Sequence, residues 1–391
     1  LLMSVLLLGL FGGTLMLVTY LILWTDVLVY WSDPIISHHR YRHYLELKKK
    51  QVTGEKISLK ETEKETEKKK KIGQNNKKQE NKEENEGAET GTEQKTNTDN
   101  TKSNNGKFLV VGVGFSGLAA CAALKRHDIE FDAVERNLEI GGNWFNGVYE
   151  TVHIISSKRT TEYKDWPMPD HYPDFPSAKQ MIRYLNDYCD FFELRDHVSF
   201  GTEVTSLVKC ASSGDDGAGN GDGCDDCDGG WKVVMKDLAT GKERTAVYRG
   251  VIIANGHHWD RRMPQYTGQE LFTGEMIHSK DYKRPEQLKG KRVLIIGGGN
   301  SACDIAVESA RFATEAHISL RRGYWFIPRS IFGVPLVELI RPYMPLWLQR
   351  LVLEFLTFVV FGRYETYGLQ KPDHRLFEHH PTINSELLHY I

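Results

Sequence analysis

Two glycine-led turns carry the residues whose types and spacing could do chemistry. The first lies in LVVGVGFSGLAA, residues 109–120, where Gly112, Gly114 and Gly117 satisfy G-x-G-x-x-G. The second lies in VLIIGGGNSACDIA, residues 293–306, where Gly297, Gly299, Asn300 and Ser301 come after an apolar run. Each reads as a buried strand, a tight turn and a helix. In such a unit two glycines let the backbone turn and approach a pyrophosphate, and a third lets helix and strand pack closely. The free N–H groups of the helix N-terminus then face the phosphates. One such turn is a weak signal, because any βα unit can carry a glycine-rich turn. The next strand in each case sharpens it. The strand after the first turn, FDAVER, ends in Glu135 and Arg136, and an acid about 20 residues past the glycines can hold ribose hydroxyls. The strand after the second, AHISL, runs into Arg321 and Arg322, with no acidic residue between Ile318 and Arg329. An NAD site would end that strand in Asp or Glu. A guanidinium grips a ribose 2′-phosphate with parallel, charge-assisted hydrogen bonds.

The elements that must position these turns can be read from the pattern. Residues 107–265 and 266–391 are predicted to form two Rossmann-like α/β domains, one around each turn. Between the turns lie four further stretches of distinctive composition: IGGNWFNGVY with Gly141, Gly142, Asn143 and Trp144; IISSK with Ile155, Ser156 and Ser157; VIIANGHHWDRRMP with Ala254, Asn255 and Gly256; and FTGEMIHSKDYKRP with Phe272, Gly274, His278 and Tyr282.

In this order, over residues 107–391, the stretches resemble the flavin-containing monooxygenases. Members of that family pair the first turn and its acid with G-G-x-W, then an A-T-G-like linker, F-x-G-x-x-x-H-x-x-x-[YF], and G-x-G-N-S-[GA]. The resemblance implies that FAD sits at Gly112, Gly114, Gly117, Glu135, Arg136, Gly142, Asn143, Trp144, Val204, Ala254, Asn255 and Gly256. It implies NADPH at Gly297, Gly299, Asn300, Ser301, Arg321 and Arg322. Two loops are then needed because a hydride must pass from one cofactor to the other. The implied activity is reduction of FAD by NADPH, addition of O₂ to give a hydroperoxyflavin, and attack on it by a soft nucleophile, an amine nitrogen or thioether sulfur. The protein's part is to position the cofactors and keep water out. The implied catalytic positions are Ile155, Ser156, Ser157, His278 and Tyr282. Mammalian-type members carry T-N-x-S-K where this chain reads IISSK, so Ile155 stands in place of an Asn beside the flavin. Ser156, Ser157 or His153 could replace it, or the enzyme could leak peroxide as an uncoupled oxidase. The family chain also returns to its FAD domain after the NADPH domain, a segment expected to be missing before Ile391. Rival readings are a Baeyer–Villiger monooxygenase, which wants Trp-Pro where Tyr282 stands, and a disulfide reductase, for which Cys121 and Cys303 are lone residues within helices. A membrane-tethered redox sensor without turnover is the third.

Bulk properties bound the rest. The chain has 391 residues, a formal net charge of −2 and 40% hydrophobic residues, none of which suggests a nucleic-acid binder. Its partners are expected to be a small-molecule substrate and O₂, with a homo-oligomer possible. Six cysteines, sparse and unpatterned, suit a reducing compartment. Residues 1–25 carry no charge, enough for a membrane span of roughly 20 apolar residues, with Trp24, Tyr30 and Trp31 as an interfacial belt. Residues 1–31 are therefore predicted to be a single transmembrane anchor. The basic cluster from His38 to Lys50 places the bulk of the chain on the cytosolic side, of the endoplasmic reticulum if the cell is eukaryotic. Residues 48–106 are Lys, Glu, Asn, Thr and Gln with almost no large apolar side chains, and residues 32–106 are predicted to be a disordered charged linker. The loop 212–230 holds Cys224 and Cys227, but its spacing fails for calcium and it lacks a second ligand pair for zinc, so no metal site is expected. Residues 331–361 are apolar but broken by Arg341, Pro342, Pro345, Arg350 and Glu354. They are predicted to be a helical hairpin that covers the active site or touches a bilayer surface, and not a second span.

Overall fold

The computed structural model describes residues 102–210, 230–340 and 344–391. The expected anchor, almost all of the linker and the Cys224/Cys227 loop lie outside the described residues. The chain first forms β1 (Lys102–Val111), α1 (Phe115–Arg126), β2 (Phe131–Val134), α2 (Lys158–Thr161), α3 (Ala178–Phe191), β3 (Val198–Ser199), β4 (Thr202–Lys209), β5 (Trp231–Asp237) and β6 (Glu243–Ile253). Six of these strands make one sheet in the order β3-β2-β1-β6-β5-β4. The β3-β2-β1-β6 half is parallel, and β5 and β4 extend it as an antiparallel meander. Parallel strands are covered on both faces and so read as continuous apolar runs; Leu109, Val110 and Ala133 are accordingly inaccessible to solvent. Each large apolar side chain among them contributes about 1.5–3 kcal/mol on burial. β1 corrects the expected linker boundary at residue 106. It begins at Lys102 because Lys102–Asn104 pair with Ala246–Tyr248 of β6, and ladder bonds hold backbone whatever the side chains.

Helix α3 packs against α1 and the Asn143–Gly147 turn. Its start is set by a capping box: the Gln180 N–H donates to Ser177 Oγ and the Ser177 N–H donates to Gln180 Oε1. One face then buries Met181, Tyr184, Leu185 and Tyr188.

The second half forms β7 (Arg292–Ile296), α4 (Asn300–Phe312), β8 (Glu315–Ser319), β9 (Phe326–Ile327), β10 (Ser330–Ile331), β11 (Val334–Pro335), α5 (Leu336–Leu339), α6 (Leu346–Phe361) and β12 (Thr382–Ile383). β7 and β8 are a parallel pair, the expected strand–turn–helix–strand unit. Leu294 and Ile296 of β7 are exposed, where a complete doubly wound sheet would cover both faces. The two halves share a core, in which Tyr149 from the first packs with Tyr282, Cys303, Phe326 and Phe361 from the second.

Two expectations change here. The apolar stretch 331–361 is not a helical hairpin: it is the β10–β11 hairpin, the single turn α5 and the long helix α6. Phe332-Gly333, both at positive φ, turns the chain back before a helix can form. The cysteines are also not all unpaired. Cys121, Cys189 and Cys303 are free and buried, whereas Cys210, just past the end of β4, is disulfide-bonded. Among the described residues, no helix is long and apolar enough to cross a membrane.

Candidate functional site: two nucleotide cradles and the bonds between them

The first cradle lies where β1 ends, beside the end of β6. Gly112 turns the chain at φ +91, and its N–H donates to Val134 O at 2.8 Å. A Cβ there would stand 2.7 Å from Ala254 O, and one on Gly117 would stand 1.8 Å from Gly112 O. Only glycine fits at either position. Gly114 opens α1, and Gly142, at φ +53, folds against it so closely that a Cβ on Gly142 would meet Gly114 Cα at 2.9 Å. The two glycine segments thus form one surface at the N-terminus of α1. Glu135 braces it from below: Oε2 accepts the Val113 N–H at 2.9 Å, and Oε1 accepts the N–H and Nδ2 of Asn137 at 2.9 Å. Oε1 is filled by its two bonds from Asn137, and Oε2 keeps a lone pair for a ribose hydroxyl.

The remaining first-cradle residues divide by role. Ala254 donates its N–H to Val111 O at 2.8 Å, and Asn255 and Gly256, the latter at φ +75, continue past β6 on the same side as Gly112. Trp144 is half-buried in a π-type turn, Asn143–Gly147, and Asn143 Oδ1 is buried without a hydrogen-bond partner. Arg136 is exposed and lies 3.5 Å from Glu203. Val204 packs into the sheet core opposite Met235.

The second cradle repeats the plan. Gly297 turns at φ +121 with its N–H donating to Ser319 O at 3.0 Å, and Gly299 opens α4. Asn300 turns its Oδ1 to the Ile383 N–H at 2.8 Å, and Thr382 Oγ1 donates to Gly298 O at 2.6 Å, so β12 clasps the turn. Ser301 faces the Tyr149 hydroxyl. Arg321 is exposed, while Arg322 stacks 5.6 Å from the Tyr324 ring centroid and leaves its Nε buried and unpartnered. The Tyr324 ring in turn lies against Gly298 of the turn, and an orphaned guanidinium donor of this kind fits a phosphate. A glycine surface that any Cβ would fill fits a pyrophosphate, so both cradles suit dinucleotides.

Between the cradles runs a buried polar network that sequence reasoning missed. Tyr149 donates to Asp304 Oδ2 at 2.7 Å, and Asn384 Nδ2 donates to Asp304 Oδ1 at 2.8 Å. Thr151 and Tyr282 both donate to Glu308. Asp304 and Glu308 are four residues apart, hence on one face of α4, and the signal was there in the sequence as two acids on the helix's core-facing side. Burial pushes the Tyr149 and Tyr282 hydroxyls and the Asp304 carboxyl upward from their ordinary values, with the neighbouring acids adding to the tyrosines' shift.

The expected catalytic positions are dispersed by the structure. Tyr282 is 1% exposed and bonded to Glu308. His278 is half-buried and accepts the Lys280 N–H on Nδ1 at 3.1 Å. Ser156 Oγ lies 2.7 Å from Thr161 Oγ1, and fully buried Ser157 caps α2 at Thr160. Ile155 is half-buried between these serines and His153. Both His153 nitrogens are buried without partners, and burial followed by the nearby Arg329 charge holds its pKa down at about 4. Arg329 Nε is likewise buried and unpartnered.

A mixed parallel sheet with a meander, one glycine cradle on it and a second cradle bonded to it define a flavoprotein built around two dinucleotides. Residues 105–391 match the family described as "Flavin-binding monooxygenase-like", and the chain belongs to it. FAD and NADPH come with that membership, and the family is one of oxidoreductases. The chain is 34% identical over 297 residues to flavin-containing monooxygenase 5 of Oryctolagus cuniculus, covering 71% of this chain and 53% of that protein. To flavin-containing monooxygenase 5 of Homo sapiens it is 35% identical over 300 residues, covering 72% and 54%. The chain therefore spans about half the length of the curated relatives it matches. Among solved structures, OTEMO in complex with FAD and NADP shares the fold, with a TM-score of 0.54, 18% identity, and coverage of 73% of this chain and 63% of that one.

Proposed function

We propose that this chain carries the two-cofactor machinery of an NADPH- and O₂-dependent flavin monooxygenase acting on soft nucleophiles, an amine nitrogen or a thioether sulfur. The observation that carries the reading is the pair of cradles, the second ending in Arg322 with a buried, unpartnered Nε. Gly112, Gly114, Gly117 and Gly142 would hold the FAD pyrophosphate, with Glu135 on the ribose. Gly297, Gly299 and the N-terminus of α4 would hold the NADPH pyrophosphate, with Arg322 on the 2′-phosphate and exposed Arg321 assisting. Bound FAD, once reduced by NADPH, supplies activated oxygen for transfer to the substrate.

The chain's own residues do the rest. Asp304 and Glu308 fix the second cradle against the first through Tyr149 and Thr151, while Tyr282 braces Glu308 from within the second half. Ser156 and Ser157 commit their hydroxyls to α2, so their contribution is to hold the Ile155 backbone in place. Ile155 brings an apolar side chain where the relatives' pattern has an amide, and excludes water without donating a hydrogen bond. His153 stays neutral near pH 7. We read residues 1–31 as the membrane anchor, from the uncharged run alone.

The test is a stoichiometric balance on the full chain with FAD, NADPH and a panel of tertiary amines and thioethers. N-oxide or S-oxide matching the NADPH consumed supports monooxygenation. NADPH oxidation that yields H₂O₂ alone with every substrate makes the protein an oxidase.

A further inference from the structure

The first cradle is backed by a cluster of easily oxidised rings. Phe115, the residue after Gly114, packs on Tyr163 with ring centroids 4.3 Å apart. The Tyr163 ring meets Tyr188 of α3 at 4.2 Å and Tyr184 of α3 at 5.7 Å. Tyr163 is 8% exposed, and Tyr184 and Tyr188 are 1% exposed each. Ring contact is therefore continuous from the glycine turn through Tyr163 to Tyr188.

Packing alone would be served by phenyl rings, because every buried phenol must be given a hydrogen-bond partner. Two of the three partners are backbone carbonyls: Tyr163 donates to Phe115 O and Tyr184 to Trp166 O. The third is a carboxylate. The Tyr188 hydroxyl donates to Asp165 Oδ2 at 3.5 Å. Asp165 pairs with Arg126 Nη1 at 2.9 Å, and its side chain is 26% exposed. A carbonyl cannot keep a proton. A carboxylate can, and this one also reaches water. Burial raises the Tyr163 and Tyr188 hydroxyls from their ordinary values, and the Asp165 charge adds to the shift at both. Both are thus neutral phenols at rest, and a neutral phenol gives up an electron most readily when a base takes its proton in the same event.

We propose that Tyr163 and Tyr188 form a path that carries one-electron oxidising equivalents from the first cradle to the protein surface at Asp165. The path rests on FAD occupying that cradle, since the oxidant is of the class of a light-excited isoalloxazine. One electron leaves Tyr163 for the oxidant. An electron from Tyr188 refills Tyr163, and the Tyr188 O–H bond breaks as its proton joins Asp165 Oδ2. The products are a neutral radical on Tyr188, a protonated Asp165 and an oxidant reduced by one electron. A solution reductant such as ascorbate then returns an electron to Tyr188, and Asp165 returns the proton. The path drains damaging oxidation away from the cofactor, whichever substrate is oxygenated.

The experiment flashes the FAD-loaded full chain with blue light, freezes it and reads electron paramagnetic resonance, with bound FAD measured by absorbance for every variant. Wild type is expected to give a neutral tyrosyl signal that ascorbate erases. Tyr188→Phe keeps the ring and is expected to lower that signal severalfold at equal FAD content. Tyr184→Phe, whose hydroxyl faces only a carbonyl, is expected to leave it near wild type. Asp165→Asn should slow the radical's appearance in transient absorbance severalfold. Deuterium oxide should slow it in wild type, a readout that needs no variant to fold. Loss of bound FAD in Gly117→Ala shows separately that the oxidant sits in the first cradle, so a silent wild type then counts against the path and not the cradle. The same signal in Tyr188→Phe as in wild type would mean that the rings serve packing alone. Equal losses in Tyr188→Phe and Tyr184→Phe, or a rate that ignores both deuterium oxide and Asp165→Asn, would overturn the path as well.

Discussion

Arg322 and His153 are the residues whose chemistry is least satisfied by the protein itself. The buried Arg322 Nε waits for an acceptor that a 2′-phosphate would supply, and NADH lacks that phosphate. Losing a hydrogen bond to a charged group costs about 1.5–3 kcal/mol, so Arg322→Ala should lower kcat/KM for NADPH at least tenfold and leave NADH nearly unchanged. Steady-state kinetics with both coenzymes checks this, and equal losses would make Arg322 a structural residue that merely stacks on Tyr324. His153 affects stability in a different way. Its folded pKa of about 4 lies below the ordinary value of 6.5, so the unfolded chain binds more protons between those values. Stability from this group is complete above about pH 6.5 and is lost as pH falls toward 4. Asp304 works oppositely, since its raised pKa favours the native state as it takes up a proton. Thermal melts from pH 7 to 4 should therefore fall more steeply for wild type than for His153→Phe, and parallel curves would show that His153 does not set the acid limit.

At the scale of elements, the two cradles share a motif but not a tolerance. A Cβ on Gly117 has backbone in its way at 1.8 Å, whereas one on Gly299 meets nothing within 4 Å. Gly117→Ala should push α1 off β1, lose bound FAD and lower the melting temperature by many degrees. Gly299→Ala should cost no more than about 1 kcal/mol, the advantage of Gly over Ala at an N-cap. Flavin absorbance and a thermal melt on each variant check the contrast; similar behaviour of the two would mean that the close packing at Gly117 is relieved by a small shift. The first cradle was legible in the sequence because positive φ at Gly112 and close backbone approach at Gly112 and Gly117 leave glycine no substitute, whereas in the second only the φ of Gly297 makes that demand. The strands β1 and β2 were legible because buried parallel strands need apolar runs, whereas β7 showed as the apolar run VLII before its glycine turn although Leu294 and Ile296 are exposed. The start of β1 at Lys102 was hidden, since its polar residues give no apolar run and its backbone pairs with β6. The β10–β11 hairpin was hidden too, because Phe332 adopts a left-handed turn that its side chain does not advertise. Of the candidate site, Ser156 and Ser157 were found as residues but not as caps, because capping depends on where α2 begins.

For the whole molecule, the question is what keeps two dinucleotides in register. Three hydroxyls cross from loop segments to one face of α4: Tyr149 to Asp304, and Thr151 and Tyr282 to Glu308. Backbone adds to them, with the Glu150 N–H donating to Lys283 O at 2.8 Å and Lys283 Nζ to Asn146 O at 3.0 Å. Tyr149 and Tyr282 also lie 5.9 Å apart, ring to ring. Glu308 is 6% exposed, and its removal strands one buried donor, the Tyr282 hydroxyl, and a second on the exposed residue Thr151. A buried donor left without an acceptor costs about 1–3 kcal/mol while an exposed one finds water, and on that basis Glu308→Ala should cost about 1–3 kcal/mol. Glu308→Gln keeps one acceptor oxygen and should recover part of that. A purely structural role would end there. If α4 sets the angle between the cradles, Glu308→Gln should also slow reduction of bound FAD by NADPH while FAD content and NADPH affinity stay near wild type, since neither cradle is touched. Stopped-flow bleaching of the flavin under anaerobic conditions separates the cases. A Gln variant that is less stable but reduces its flavin at the wild-type rate would show that Glu308 holds the halves together without aligning them.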